Sequence, residues 1–179
     1  VWDPDHDGIG SALVLAELVG EAPIRGIRKA PPGLLQPVGS LVETSAGLAV
    51  AADGYAIIAY VPHREGGGTA QTGVEVDDEQ AERRWIAYAW PLEEGHGERP
   101  VVFIDEHERI LVMENRAPGP VYFGLESPPP YDAALRAPRI DAEAATDETG
   151  QDKGLWRRWK DKEPRASLPG DRAPASPPG

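Results

Sequence analysis

The chain has 179 residues, a net charge of −12 at pH 7 and no cysteine. That length allows one ordinary domain with a real core, and the charge argues against nucleic acid or an anionic membrane as a partner. Without cysteine there is no disulfide framework, thiol nucleophile or zinc–thiolate site. No run approaches the roughly 18–20 apolar residues that a membrane helix needs. Glycine (20) and proline (19) are abundant and the prolines crowd into the last third, so the compact part should lie towards the N-terminal side.

In chain order, residues 1–11 read VWDPDHDGIGS. Asp3, Asp5 and Asp7 with Gly8 match the first half of a calcium loop, in which alternate carboxylates converge on one hard cation and glycine permits the turn. The twelfth position of such a loop is Val14 rather than a bidentate glutamate, and the nearest acid is Glu17. Calcium is therefore a candidate cofactor at Asp3, Asp5 and Asp7, weighed against a solvated turn that caps the next helix. Gly8 and Gly10 graze a dinucleotide fingerprint, but no strand precedes them and Leu13 stands where a third glycine should. Residues 11–19, SALVLAELV, predict a helix with Ser11 as N-cap and Gly20 just past its end. Glu17 is then either an exposed helix residue or the missing ligand. Residues 21–41 read as a long surface connection, with Arg25, Arg28 and Lys29 as an alternative partner contact.

Apolar runs at 48–51 and 55–61 flank an Asp53-Gly54 turn, a hairpin signal. The second run is apolar on both faces and should be a central strand. Gly66-Gly67-Gly68 reads as a flexible connector, since it lacks the Lys-Ser/Thr of a phosphate loop. Asp77 and Gln80 predict a short capped helix over the residues that follow Asp77. It delivers the chain into residues 85–115, where short apolar runs at 85–90, 101–104 and 110–113 predict strands. The five polar residues 105–109 suit a hairpin loop.

His63, His96 and His107 each sit beside acids, as general acid–base catalysis or a metal would require. None has motif spacing, and there is no Gly-x-Ser-x-Gly, so no catalytic residue is assigned. Residues 128–131, PPPY, contain a polyproline recognition pattern, read here as a stiff linker. The stretch after residue 133 is polar and rich in alanine, proline and acids, and predicts disorder. Within it, Trp156, Arg157, Arg158 and Trp159 form a basic, tryptophan-bearing island able to fold onto a partner or a membrane interface.

The segments DPDHDGIGSALVLAELVGEAPIRG, GYAIIAYVP and RRWIAYAWPLEEGHGERPVVFIDEHERILVMEN occur in an order that resembles the globular domain of bacterial type IV pilin-like and type II secretion pseudopilin-like proteins. The resemblance implies an α+β fold: a small antiparallel sheet of about four strands, one or two short helices, long loops and a disordered C-terminal tail. It divides the chain into a pilin-like domain at 1–125 and a tail at 126–179. It also implies a non-enzymatic filament subunit whose partners are other pilin-like subunits or secretion machinery. Such a subunit sits at the cell surface or in the periplasm, anchored by a prepilin helix that would precede Val1, its only link to a membrane. A calcium-dependent secreted binding module and a hydrolase using a loop histidine and acid are the alternatives.

Overall fold

A computed structural model describes residues 2–29, 39–93 and 99–159. Its framework is one antiparallel sheet of nine strands. The chain first forms helix α1 (Leu15–Leu18) and a two-residue pair, β1 (Pro23–Ile24) with β2 (Arg28–Lys29). The large sheet contains β3 (Ser40–Thr44), β4 (Gly47–Ala52), β5 (Tyr55–Pro62), β6 (Gly68–Thr69), β7 (Ile86–Pro91), β8 (Val101–Asp105), β9 (Ile110–Met113), β10 (Glu148–Thr149) and β11 (Leu155–Arg158). Helix α2 (Asp78–Ala81) lies between β6 and β7. Strand order is β10-β11-β9-β8-β7-β5-β4-β3, with β6 pairing a second stretch of β5.

The five strands predicted from apolar runs are all present, each within two residues of its expected ends. Asp53 and Gly54 turn β4 into β5 with positive φ at both positions (50° and 79°), the backbone that matches the twist of a two-residue hairpin. Asp77 caps α2 through its carboxylate, which accepts Gln80 N–H at 3.1 Å.

The α+β, pilin-like expectation is overturned. Among the described residues the two helices have four residues each, and the sheet has nine strands rather than about four. The predicted helix at 11–19 shrinks because the chain before Val14 has other partners. Ser11 N–H donates to the Trp2 carbonyl and the Ser11 hydroxyl to the Asp78 carbonyl. The sheet gains its additional strands partly from the stretch after residue 133, where disorder was expected.

The core explains that second correction. Alternation along each strand places Ala56, Ile58 and Tyr60 of β5, Ile86, Tyr88 and Trp90 of β7, Val101 and Phe103 of β8, and Leu111 and Met113 of β9 on one face, all buried. The chain from Tyr122 to Ala144 covers that face. Ala133, Ala134, Leu135, Ile140 and Ala144 join the same cluster, and so does Trp156, which is 0% exposed. The cover is irregular chain, so its polar backbone groups need partners once buried. Aromatic side chains of the sheet supply them. The Tyr60 hydroxyl donates to the Pro129 carbonyl at 2.7 Å and the Trp90 indole to the Gly124 carbonyl at 2.7 Å. The Tyr88 hydroxyl donates to the Tyr131 carbonyl at 2.9 Å and accepts Ala134 N–H at 3.0 Å. Asp152 accepts both the Tyr122 hydroxyl and the Trp156 indole. Tyr88 stacks on Phe103 and Trp156 at centroid distances of 5.3 and 5.8 Å. The core cluster thus runs across position 125, and residues 160–179 lie outside the described residues.

Burial pushes the Tyr60, Tyr88 and Tyr122 phenols above their usual value of 10.0, the Asp152 carboxylate adding to the shift at Tyr122. A raised folded-state pKa means that the contribution is complete below the unfolded value and is lost as pH climbs beyond it. Absorbance titration of the phenols is therefore expected to show these three ionising only together with cooperative unfolding, at about pH 11 or above. All five tyrosines ionising near pH 10 with the fold intact would contradict the assignment.

Candidate functional site

The N-terminal turn brings Asp3, Asp5 and Asp7 together, with one oxygen from each within 4.8 Å of the others. These carboxylates already have donors. Asp3 accepts the N–H groups of His6 and Gly8, Asp5 that of Asp7, and Asp7 that of Ile9. This is how Asp side chains hold a turn without a cation. Calcium takes six to eight oxygen ligands, and Glu17 does not turn towards the cluster.

Glu17 is instead buried at 2% exposure. Its carboxylate accepts the N–H groups of Val14 and Arg25 and forms an ion pair with the Arg25 guanidinium at 2.5 Å. Arg25 also reaches Asp78 at 2.9 Å and the Ala12 carbonyl, so one cation ties α1 to the start of α2. Arg25 adopts a positive φ of 48°, a conformation that must be held by its surroundings. The sequence offered Glu17 as an exposed residue or a calcium ligand and Arg25 as a partner contact; both are internal fasteners. Arg28 and Lys29 lie in β2.

Among the described residues the histidines do not converge. His63 Nδ1 accepts Glu65 N–H, His107 lies 3.3 Å from Glu106, and His96 falls outside the described residues. The glycine run is a packing surface. A Cβ at Gly67 or Gly68 would sit 2.9 Å from Tyr131, so the ring of Tyr131 lies where side chains would otherwise be. The Pro-rich stretch at 128–131 is likewise engaged, Pro129 through Tyr60 and Tyr131 through its hydroxyl bond to the Pro138 carbonyl.

The basic island divides by strand alternation. Trp156 is a core residue, closed off from any partner, whereas Arg157, Arg158 and Trp159 are exposed. Arg157 and Trp159 stand on the sheet face opposite the aromatic core.

That outer face is the least expected feature. Cross-strand partners give one row across seven strands: Leu41, Val50, Ile57, Ala89, Val102, Val112 and Arg157. A second row runs Ala59, Ala87, Ile104, Ile110, and Trp159 N–H donates to the Ile110 carbonyl at its end. Arg157 is the one charged residue in these two rows. Among the described residues the N-terminal segment covers the β4–β5 side of the face: Val14, Val76 and Ala81 pack on Val61 of β5, α1 lies against β4, and Val50 is buried. Further along, Ile57 and Ile110 are each 38% exposed and Trp159 46%.

Compared with known proteins, the chain matches no family model, no curated protein and no solved structure. The nine-stranded sheet and this result together remove the pilin-like assignment. The outer face had a signal in the sequence: the runs at 55–61, 85–90, 101–104 and 110–113 carry apolar residues at successive positions, hence on both faces of each strand.

The buried Glu17–Arg25 pair gives a stability test. Glu17→Ala leaves a buried guanidinium uncompensated and is expected to cost about 3–5 kcal/mol in urea unfolding. Asp78→Ala, at the wetter end of the same network, should cost about 1 kcal/mol. Equal small losses would show that the network does not fasten the N-terminal segment.

Proposed function

We propose that this chain is a non-enzymatic assembly module that pairs with a second copy of itself through the outer face of the sheet. The observation that carries this reading is the relief of that face. Strand β7 contributes only Ala87 and Ala89, a trough of small residues, and its neighbour β8 contributes Val102 and Ile104, a ridge of branched ones. Ile57 walls the trough on the β5 side. A surface with a trough beside a parallel ridge is complementary to its own two-fold copy, each ridge seating in the other's trough. Two sheets packed this way lie about 10 Å apart with strands within about 30° of each other.

Extent and charge agree. Val50 is buried, so four strand-to-strand steps of about 4.8 Å carry the open part of the first row, from Ile57 to Arg157, across about 19 Å. Two such patches bury less than the roughly 1,200 Å² of a standard interface, so the pairing is weak and transient rather than obligate. The acidic surplus lies off the patch, where it opposes association at a distance and is screened by salt. A catalytic reading has less support. The buried acids Glu17 and Asp105 are engaged by Arg25 and Arg109, and the described histidines lie apart.

Sedimentation equilibrium tests this. Between about 10 µM and about 1 mM the average mass should climb from 19.3 kDa towards twice that value, and more readily at higher ionic strength. Ala89→Glu, which buries an unpaired charge in each trough beneath the partner's ridge, should hold the protein at monomer mass with an unchanged circular dichroism spectrum. A monomer mass throughout this range for the unaltered chain overturns the reading.

A further inference from the structure

Where β8 begins and β9 ends, the outer face runs into a groove of about 450 Å³. Its floor is apolar, with Val112, Pro118 and Leu155 among its lining residues, and Leu155 is 44% exposed. Arg116, Lys153 and Arg157 stand around it. In a chain of net charge −12, three cations about one groove run against the general balance. Arg116 is paired with Glu114 at 2.6 Å. Lys153 and Arg157 are exposed, and among the described residues no acid lies within ion-pair distance of either.

The frame that presents these cations is built. Lys153 takes a left-handed conformation, φ 70°, in a turn closed by its N–H bond to the Gly150 carbonyl and by Gly154 N–H donating to Asp152 at 2.7 Å. Gly154 is pressed against the core, since a Cβ there would meet Met113 Sδ at 2.1 Å. Arg157 is fixed in β11 opposite Val112. The two free cations therefore flank Leu155 from opposite sides, separated by a distance on the order of 10 Å along the strand direction. Lys153, Leu155 and Arg157 are spaced as two acids with an aliphatic residue midway between them are in an extended peptide, so such a segment matches the groove position by position.

We propose that this groove binds an extended acidic peptide segment. An aliphatic side chain rests on the floor of Val112, Pro118 and Leu155, and flanking carboxylates meet Lys153 and Arg157. The inference stands on charge and cavity and does not depend on the pairing of two copies.

The probe is the peptide acetyl-Gly-Glu-Ala-Leu-Ala-Glu-Gly-amide, whose leucine and both glutamates share one face of an extended chain, titrated into the full chain at a concentration where it is monomeric and followed by backbone amide shifts. Saturable shifts are expected at residues around the groove, weakening as salt is raised. The same peptide with both glutamates changed to glutamine should bind about tenfold more weakly. Lys153→Asn, which keeps a residue tolerant of the left-handed backbone, and Arg157→Gln should each weaken binding about threefold. Arg83→Gln, at an exposed cation that does not line the groove, should change nothing. The proposal is overturned if no shift appears up to about 5 mM peptide, if the glutamine peptide binds equally well, or if the double variant Lys153→Asn, Arg157→Gln binds as the unaltered chain does. Failure of self-pairing in sedimentation leaves this outcome untouched, because the titration is read on the monomer.

Discussion

The fold depends on a reciprocal exchange of hydrogen bonds between a sheet and a cover that has no secondary structure to speak of. Buried irregular chain is costly because its carbonyls and N–H groups lose water. Buried tyrosine and tryptophan are costly for the same reason, since each carries a polar group at the end of a large apolar body. Tyr60, Tyr88 and Trp90 are placed under Pro129, Tyr131, Ala134 and Gly124, so each partner satisfies the other. Trp156 completes the layer through edge-to-face contacts with Tyr88 and Phe103 and by strand pairing with Met113. Sheet and cover are therefore one cooperative unit, and neither would bury its polar groups at acceptable cost alone.

That arrangement seals one face and leaves the other largely to its own side chains. The N-terminal segment, fastened by Glu17, Arg25 and Asp78, packs on the β4–β5 side of the outer face, near Val61 and Val50. What remains is a charge-poor surface with small residues on β7 beside branched ones on β8. An apolar surface of this kind is comparable to the largest patch a solitary domain commonly exposes, which is often functional. Its relief suits a second copy, while the cations gather only at its far corner around Leu155. Assembly and peptide capture would then use adjoining parts of one side of the molecule that share Val112 and Arg157.

Short-range features of this fold were legible in the sequence and long-range ones were not. The Asp53-Gly54 turn, the Asp77 cap and the five apolar strands each announce themselves within a few residues. Residues 118–150 do not, because their order comes from hydroxyl and indole donors that lie 34 to 69 positions away in sequence. Composition there, rich in proline and alanine, looks like disorder, yet Ala133, Ala134 and Ala144 are buried in the core cluster. Glu17 and Arg25 could not be paired from sequence either, since the positive φ at Arg25 that turns it back onto Glu17 leaves no local signature. The island at Trp156–Trp159 was noticed for its composition, and strand alternation then divided it, sending Trp156 inward and leaving Arg157 and Trp159 outside. The resemblance to pilin-like domains rested on turn and strand residues that many antiparallel sheets would share.

The central claim is the contrast between a face that is always covered and one that is covered only by association. Alanine methyl groups report on both. With a soluble paramagnetic agent, the methyls of Ala133, Ala134 and Ala144 should stay sharp at every protein concentration. Those of Ala87 and Ala89 should broaden in dilute solution and recover as the protein is concentrated. Ala87 and Ala89 equally broad at all concentrations would contradict the account, as would Ala133 and Ala134 broadening alongside them.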